Sequence, residues 1–373
     1  MKSGAAFAVK KTLLIVLSAV LSIVLVVLVA GTAYMEYMLN LIKREPDDNT
    51  ISPSEYQGYY ETTAPTGSNP TDPTQVTDPG SVTNPTDPVK PTDPVKPTDP
   101  TQPTEDTTPT DPTIPTWEPW EDPVVKKEHI INIMLIGQDR RPGEYRARSD
   151  AMILCTINTK TKEITLTSFM RDTYVQIPGY QDNRINECYI LGGMKLVSKC
   201  LEKNFGVYVD GSVAVDFNSF KDVIDAVGGV DIELASNEAN YMVKQGYKVK
   251  AGMNHMNGAT ALAYARNRSI GNSDFTRTLR QRKVITALIQ KCKGMNFIQL
   301  SGMLNKVLPL LTTDMTNGEL LKYMMDALPL LKDPKIKSQR IPGDYFRFAI
   351  IRGLDVIVPD INDCRRILQE CMK

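Results

Sequence analysis

Histidine and tryptophan are nearly missing from this chain, with two of each in 373 residues. His129 and His255 alone exclude a histidine-rich metal centre. The six cysteines (155, 188, 200, 292, 364 and 371) contain no CxxC pair, which argues against a zinc site. Cys155 reads as a small core residue of an apolar strand, and Cys364 and Cys371 lie too far apart to bridge within one helix. There is no GxxxxGK[ST] loop and no GxGxxG after a strand, so the usual nucleotide-phosphate cradles are absent. A formal net charge of zero hides a segregation. Residues 1–123 carry 7 basic and 17 acidic side chains, whereas residues 124–373 carry 36 and 26. Most of the 25 prolines also precede residue 124. Since 42% of the residues are hydrophobic, a sizeable core is expected and full disorder is excluded.

One long apolar run is present. Residues 13–33 hold no charge and, as a helix, span roughly 30 Å, one hydrocarbon core. Lys2, Lys10 and Lys11 precede the run, which places the short N-terminus (1–12) in the cytoplasm and everything after Tyr34 outside it. A cleaved signal peptide ending at Ala33 is the alternative, but the run exceeds the usual ~7–15 residues of a signal core. Residues 34–45 form a juxtamembrane segment. Residues 46–123 are Pro, Thr, Asp and Ser with a PTDPVK repeat, and are expected to be a disordered, polyproline-like stalk. Sixty such residues reach ~190 Å before bending. Trp117 and Trp120 close this stretch, either docked on the domain or exposed.

Residues 124–373 read as one α/β domain. Strands are expected over 130–136, 150–157 and 163–169, the last half-exposed with Thr165 and Thr167 outward. A helix over 194–205 stops at Gly206, a strand-like run covers 207–217, and Ser219 caps a helix ending near Val227. Val230–Leu234 is again a strand. Because strands and helices alternate, helices should cover a mixed central sheet. The first three strands follow one another through short links, so they run up, down, up. That arrangement gathers Asp139, Asp150, Arg171 and Asp172 at one edge. The plainer reading pairs Asp139 and Asp150 with nearby Arg140, Arg146 and Arg148.

A basic cluster follows. Arg266, Arg268, Arg277, Arg280 and Arg282 fall within 17 residues, with Asp274 the only acid among them. Arg277 and Gln281 share a helical face. Guanidinium groups bind phosphate oxygens in bidentate fashion, and arginine here outnumbers lysine, so an anion site is favoured over a solvated basic face. Two carboxylates can hold Mg²⁺ through oxygens while leaving room for a diphosphate. A lipid-linked diphosphate suits a domain beside a membrane anchor. His255 reads as a turn residue.

The strings IGQDRR…RARSDAMIL, SFMRDTYVQIPG, RINECYILGG, DFNSFKDVIDAVGGVDI and NGATALAYARNR…DFTRTLRQ resemble the LytR–CpsA–Psr family of bacterial cell-envelope proteins, over roughly residues 128–373. The resemblance implies an α/β/α sandwich with an apolar pocket for a polyprenyl tail. It also implies a Mg²⁺-dependent phosphotransferase that moves a glycopolymer (teichoic acid, capsule or another wall glycan) from undecaprenyl pyrophosphate to peptidoglycan. The implied acceptor is the 6-hydroxyl of N-acetylmuramic acid. By the same resemblance Asp139 and Asp150 match the metal-coordinating aspartates, and Arg148 and Arg171 the diphosphate-binding arginines. Arg266, Arg268, Arg277 and Gln281 match head-group residues, Asp274 matches the acid of that segment, and Asn186 matches the asparagine of a KIN motif. This chain has Arg184 where that motif has lysine, and Glu187 and Cys188 where small residues are usual. A polyprenyl-diphosphate phosphatase and a wall-binding module without transfer activity are the competing readings. No nucleic-acid partner is expected, because the anchor puts the domain on the wrong side of the membrane.

Overall fold

The computed structural model describes residues 31–46, 51–52, 114–140, 144–271, 273–295 and 297–373. Most of the expected membrane span and most of the Pro-rich stretch lie outside the described residues. Among the described residues no helix is long and apolar enough to cross a membrane.

In chain order the strands are β1 (Lys43–Arg44), β2 (Ile130–Gln138), β3 (Ser149–Asn158), β4 (Glu163–Phe169), β5 (Tyr174–Val175), β6 (Asn183–Arg184), β7 (Gly211–Asp216), β8 (Val230–Leu234), β9 (Gly252–Met256), β10 (Thr312–Thr313), β11 (Lys335–Ile341), β12 (Phe346–Ile351) and β13 (Leu354–Pro359). The helices are α1 (Glu187–Phe205), α2 (Phe217–Ala226), α3 (Ser236–Lys244), α4 (Gly258–Arg266), α5 (Ser273–Lys291), α6 (Phe297–Val307), α7 (Asn317–Ala327) and α8 (Ile361–Glu370), with a further helical stretch over 31–39.

A mixed seven-stranded sheet in the order β1-β10-β7-β2-β3-β4-β11 forms the centre. β2, β3 and β4 run antiparallel in succession, as the short links require, while β7 joins β2 and β11 joins β4 in parallel. Apolar side chains alternate between the two faces of these strands. Met134, Ile136, Met152, Leu154 and Phe169 pack under α1 and α8, whereas Ile131, Ile153, Ile164 and Leu166 face α5, α7 and the stretch from Met38 to Ile42. A third cluster joins α2, α3, α4 and the β8–β9 hairpin into a lobe beside the sheet.

Three local expectations change. Thr165 and Thr167 are buried, because β4 is covered on both faces and flanked by β11; Gln339 Nε2 donates to Thr167 Oγ1 at 3.0 Å. Asp216, rather than Ser219, caps α2: its carboxylate accepts from the Ser219 N–H at 2.8 Å. The helix expected at 194 begins at Glu187 and breaks at Gly192 and Gly193. Gly193 has φ +63°, and a Cβ there would lie 2.1 Å from Arg146 Nη1 and 2.8 Å from a Glu45 carboxylate oxygen. That carboxylate accepts the Met194 N–H at 2.8 Å, so the break is where the 34–45 segment fastens.

The folded unit also starts earlier than residue 124. Met38, Leu39 and Ile42 are buried, and β1 adds a parallel edge to β10. Ile51 N–H donates to the Leu191 carbonyl at 2.8 Å, and Tyr180 Oη donates to the Ile51 carbonyl. Trp117 stacks edge-on against Tyr174 and gives its Nε1–H to Asn204 Oδ1 at 3.1 Å, while Gln176 Nε2 donates to the Trp117 carbonyl at 2.7 Å. Trp120 lies under the Arg365 guanidinium, 5.4 Å from its ring centre. Both tryptophans are therefore docked. The chain touches the domain before and after residues 53–113, at Tyr180 and Gln176. These two are four residues apart in sequence, so no more than ~14 Å separates their α-carbons. The six cysteines are free thiols, and burial pushes the thiols of Cys155 and Cys364 up to about 12.

Replacing Trp117 with alanine removes a packed indole and a hydrogen bond and should cost about 2–3 kcal/mol in urea unfolding. A loss below ~0.5 kcal/mol, the size of a bland surface change, would show that this segment is not part of the cooperative unit.

Candidate functional site

The site forms where β2, β3 and β4 end. β2 pairs with β3 at Gly137–Ala151 and again at Gln138–Ser149, so Asp150 is the extra residue of a bulge. Bulges redirect a side chain out of the regular alternation. Here Asp150 stands on the rim of a cavity of about 750 Å³, with Asp139 just beyond the end of β2. Arg171 arrives two residues after β4. Its Nη1 lies 3.1 Å from Asp150 Oδ1, and its Nε lies 3.3 Å from both Asp172 Oδ2 and Asp274 Oδ2. The local arginines pair elsewhere: Arg140 with Asp216, Arg146 with Glu45 and Arg148 with Glu187.

Helix α5 delivers the rest. Asp274 in its first turn meets Arg277 Nη2 at 3.5 Å one turn on, and Arg268 Nε approaches the other carboxylate oxygen at 3.4 Å. Three guanidiniums therefore converge on one carboxylate. Burial pulls the Arg171 pKa down, but Asp172, Asp274 and Asp150 together outweigh it and hold it above the ordinary value. Arg277 is 3% exposed. Its pKa is drawn down to about 10, chiefly by burial, with the like charges of Arg268 and Arg171 adding to the effect. Arg277 Nε, Gln281 Oε1 and Asn267 Nδ2 are buried without hydrogen-bond partners, and all three residues line the cavity. Buried polar atoms left unpaired are costly, so this arrangement is built for a ligand with both donor and acceptor needs.

Asp139, Asp150, Arg171, Arg266, Arg268, Arg277 and Gln281 all line this cavity, as the sequence leads one to expect. Arg266 rests its guanidinium 4.2 Å from the Phe217 ring centre. Asp274 forms the wall through its ion pairs. Arg148 and Asn186 do not line it. Arg148 Nε donates to Glu187 Oε1 at 2.6 Å, and Asn186 sits at the N-terminus of α1 with its N–H 3.3 Å from the Arg171 carbonyl, a backbone support for that arginine. Asn267, Asp216, Gln245 and Ser269 are polar lining residues that the sequence reading did not assign to the site; for Asn267 the position between two site arginines is the available signal. Val215, Phe217, Phe220, Met242, Tyr247 and Leu262 add apolar surface to the cavity lining. Val215 comes from β7 and the others from the lobe built around α2, α3 and α4, whose placement on the sheet is a tertiary matter.

Arg280 and Arg282, counted in the same basic run, do different work. Arg280 donates to Glu238 Oε1 at 2.8 Å and to the carbonyls of Asn267 and Ile270 at 2.9 Å each, tying α3 and the 267–270 loop to α5. Arg282 Nε donates to Ser338 Oγ at 2.6 Å on β11.

A divalent ion fits the donor set only in part. Among the described residues no cluster of three or more His, Cys, Asp or Glu side chains is placed to hold a metal. Asp139 and Asp150 are two hard oxygen donors, which suit an ion that takes its other ligands from substrate phosphate and water.

Fold and cavity together define a mixed α/β protein with an arginine-lined cavity at one edge of its sheet, and the chain belongs to the LytR_cpsA_psr family, whose model matches residues 95–373. Among its relatives is the polyisoprenyl-teichoic acid–peptidoglycan teichoic acid transferase TagU of Bacillus anthracis, 32% identical over 230 residues, 60% of this chain and 73% of that one. The crystal structure of B. subtilis TagV superposes with a TM-score of 0.54 at 28% identity, covering 66% of this chain and 98% of that chain. TagT bound to LI-WTA also matches, with a TM-score of 0.54 at 25% identity over 66% of this chain and 90% of that one.

Two arginines distinguish ligand binding from scaffolding. Arg277→Met should weaken pyrophosphate binding ~10–100-fold, the worth of a charged hydrogen bond, with thermal stability unchanged or raised because a repelled buried cation is gone. Arg280→Met leaves Glu238 unpaired and should cost ~3–5 kcal/mol of stability instead. Calorimetric titration and thermal unfolding of both variants check this; equal losses of stability would contradict it.

Proposed function

We propose that this protein is a phosphotransferase that moves a glycopolymer from a polyprenyl diphosphate carrier to peptidoglycan. The observation that carries this is the convergence of Arg171, Arg268 and Arg277 on Asp274, at a cavity also lined by Phe217, Phe220, Met242 and Leu262. A diphosphate with an isoprenoid tail presents both charge and oil. The relatives' names supply the acceptor and the class of reaction. Teichoic acid is the polymer named for TagU, and the same class of glycan is proposed here.

In the proposed reaction the diphosphate oxygens replace the Asp274 carboxylate among the guanidiniums, with the prenyl chain along Phe217, Phe220 and Leu262. An acceptor hydroxyl oxygen forms a new bond to the glycan-linked phosphorus. The bond from that phosphorus to the bridging oxygen breaks, and polyprenyl phosphate leaves with the electron pair and the proton. Arg171, Arg268 and Arg277 stabilise charge on the equatorial oxygens as the bonds exchange. Asp274, released at the edge of the site, orients the acceptor hydroxyl by accepting its hydrogen bond. Mg²⁺, held by Asp139 and Asp150, would neutralise part of the diphosphate charge. Residues 13–33 would anchor the chain in the cell membrane with this domain outside, where lipid-linked donor and wall meet.

With purified protein, lipid-linked donor and peptidoglycan, Arg268→Ala should lower transfer at least ~100-fold, a value in the range of losing one preorganised charge stabiliser. Removal of divalent ions with a chelator should abolish transfer, and added Mg²⁺ should restore it. Release of free glycan phosphate in place of a glycan–peptidoglycan phosphodiester would instead identify a phosphatase.

A further inference from the structure

The Arg171–Asp274 ion pair is a partition. The donor cavity lies on the arginine side, and a second hollow of about 460 Å³ lies on the carboxylate side. Asp172, Asp274 and Phe275 form one wall of this groove; Phe348, Ile350 and Asp355 of the β12–β13 hairpin form the other. Alternation along β12 places Phe346, Phe348 and Ile350 on one face, with Ala349 and Ile351 buried on the other. Phe348 is 68% exposed and Ile350 53%. Two large apolar side chains held in water beside carboxylates mark a surface kept for a ligand rather than for the core.

The hairpin is fixed to the catalytic segment. The Ile357 N–H donates to the Asp172 carbonyl at 2.8 Å, and Arg352 Nη2 donates to Tyr174 Oη at 2.7 Å. Phe275, on α5 next to Asp274, stacks 5.4 Å from Phe346, which meets Phe348 edge-on at 5.5 Å. The Arg340 guanidinium sits 4.9 Å from the Phe275 ring centre and holds this row together. An aromatic shelf therefore leads to the carboxylate that closes the donor site.

We propose that this groove binds the acceptor sugar, which deepens and rests on the transferase reading above. Three carboxylates on its walls disfavour a second phosphate or an anionic headgroup, but accept hydrogen bonds from hydroxyls. The C–H faces of pyranose rings pack on exposed aromatic rings. A sugar lying on Phe348 can thus direct a hydroxyl toward Asp274, opposite the arginines that hold the donor. A membrane surface fits less well. The helical stretch 31–39 at the end of the expected anchor leads to β1, and β11 is the opposite edge strand, about 29 Å away across six strand spacings; the hairpin meets that side, with Phe346 5.8 Å from the Arg340 guanidinium of β11.

The test uses the full-length chain in detergent, a lipid-linked donor, and a soluble N-acetylglucosamine–N-acetylmuramic acid oligosaccharide as acceptor. Both Phe348→Ala and Ile350→Ser change exposed positions, so folding should be retained. Phe348→Ala should raise the acceptor KM ~5–10-fold, the loss of one aromatic contact, with kcat and donor affinity within about twofold. Phe348→Tyr should restore the wild-type KM. Oligosaccharide binding is also titrated directly without donor, and should weaken in Phe348→Ala by the same factor. Transfer with an unchanged KM in both variants keeps the transferase and overturns the groove. Oligosaccharide binding that depends on Phe348, without any transfer, keeps the groove as a sugar site and overturns the transferase. A variant that loses vesicle association but binds sugar normally makes the hairpin a membrane contact and overturns the proposal.

Discussion

The contact on which the site depends is Asp274 held by three guanidiniums at 3.3–3.5 Å. Guanidinium groups this close repel one another, and in a partly buried setting that repulsion is poorly screened. Asp274, shared by all three, lowers it, and Asp150 and Asp172 add further opposite charge beside Arg171. The substrate then meets a cradle whose cost of assembly is already met in folding, which is how preorganised charge stabilises a transition state. In the proposed reaction a diphosphate displaces the same carboxylate to take all three arginines, so Asp274 would serve first as a placeholder and then as a group at the boundary with the acceptor.

The scaffold explains why these particular residues meet. A bulge turns Asp150 outward, the end of β4 supplies Arg171, and α5 sets Asp274, Arg277 and Gln281 on one face at i, i+3 and i+7. Arg280, on another face of the same helix, donates to Glu238, to two carbonyls and to Thr276 Oγ1, and so anchors the helix that carries the ligand groups. The docked segments 31–46 and 114–123 matter in a different way. The chain contacts the domain at Ile51 and again at Trp117, and β1 ties the domain directly to the residues that follow the apolar run.

Much of this was legible in the sequence. Short links between three strands fix their antiparallel order, and that order alone brings Asp139, Asp150 and Arg171 to one edge. Helical spacing places Arg277 with Gln281. The division of labour inside the arginine run was not legible, because Arg277 and Arg280 differ only in what packs against their faces of α5. Thr165 and Thr167 look outward by alternation, yet both faces of β4 are covered and β11, more than 160 residues later in the chain, pairs along its edge. Asp216 displaced Ser219 as a cap because the strand before it ends sooner than its apolar pattern. The docking of Trp117 and Ile42 follows from surfaces made by distant residues, which local composition cannot reveal.

The most direct measurement is calorimetric titration of the full-length protein with a short-chain prenyl diphosphate, set against the matching prenyl alcohol. Binding of the diphosphate, little binding of the alcohol, and loss of the diphosphate signal in Arg171→Ala with the fold retained by circular dichroism are expected. Equal affinity for diphosphate and alcohol, or undiminished binding without Arg171, would contradict the diphosphate site.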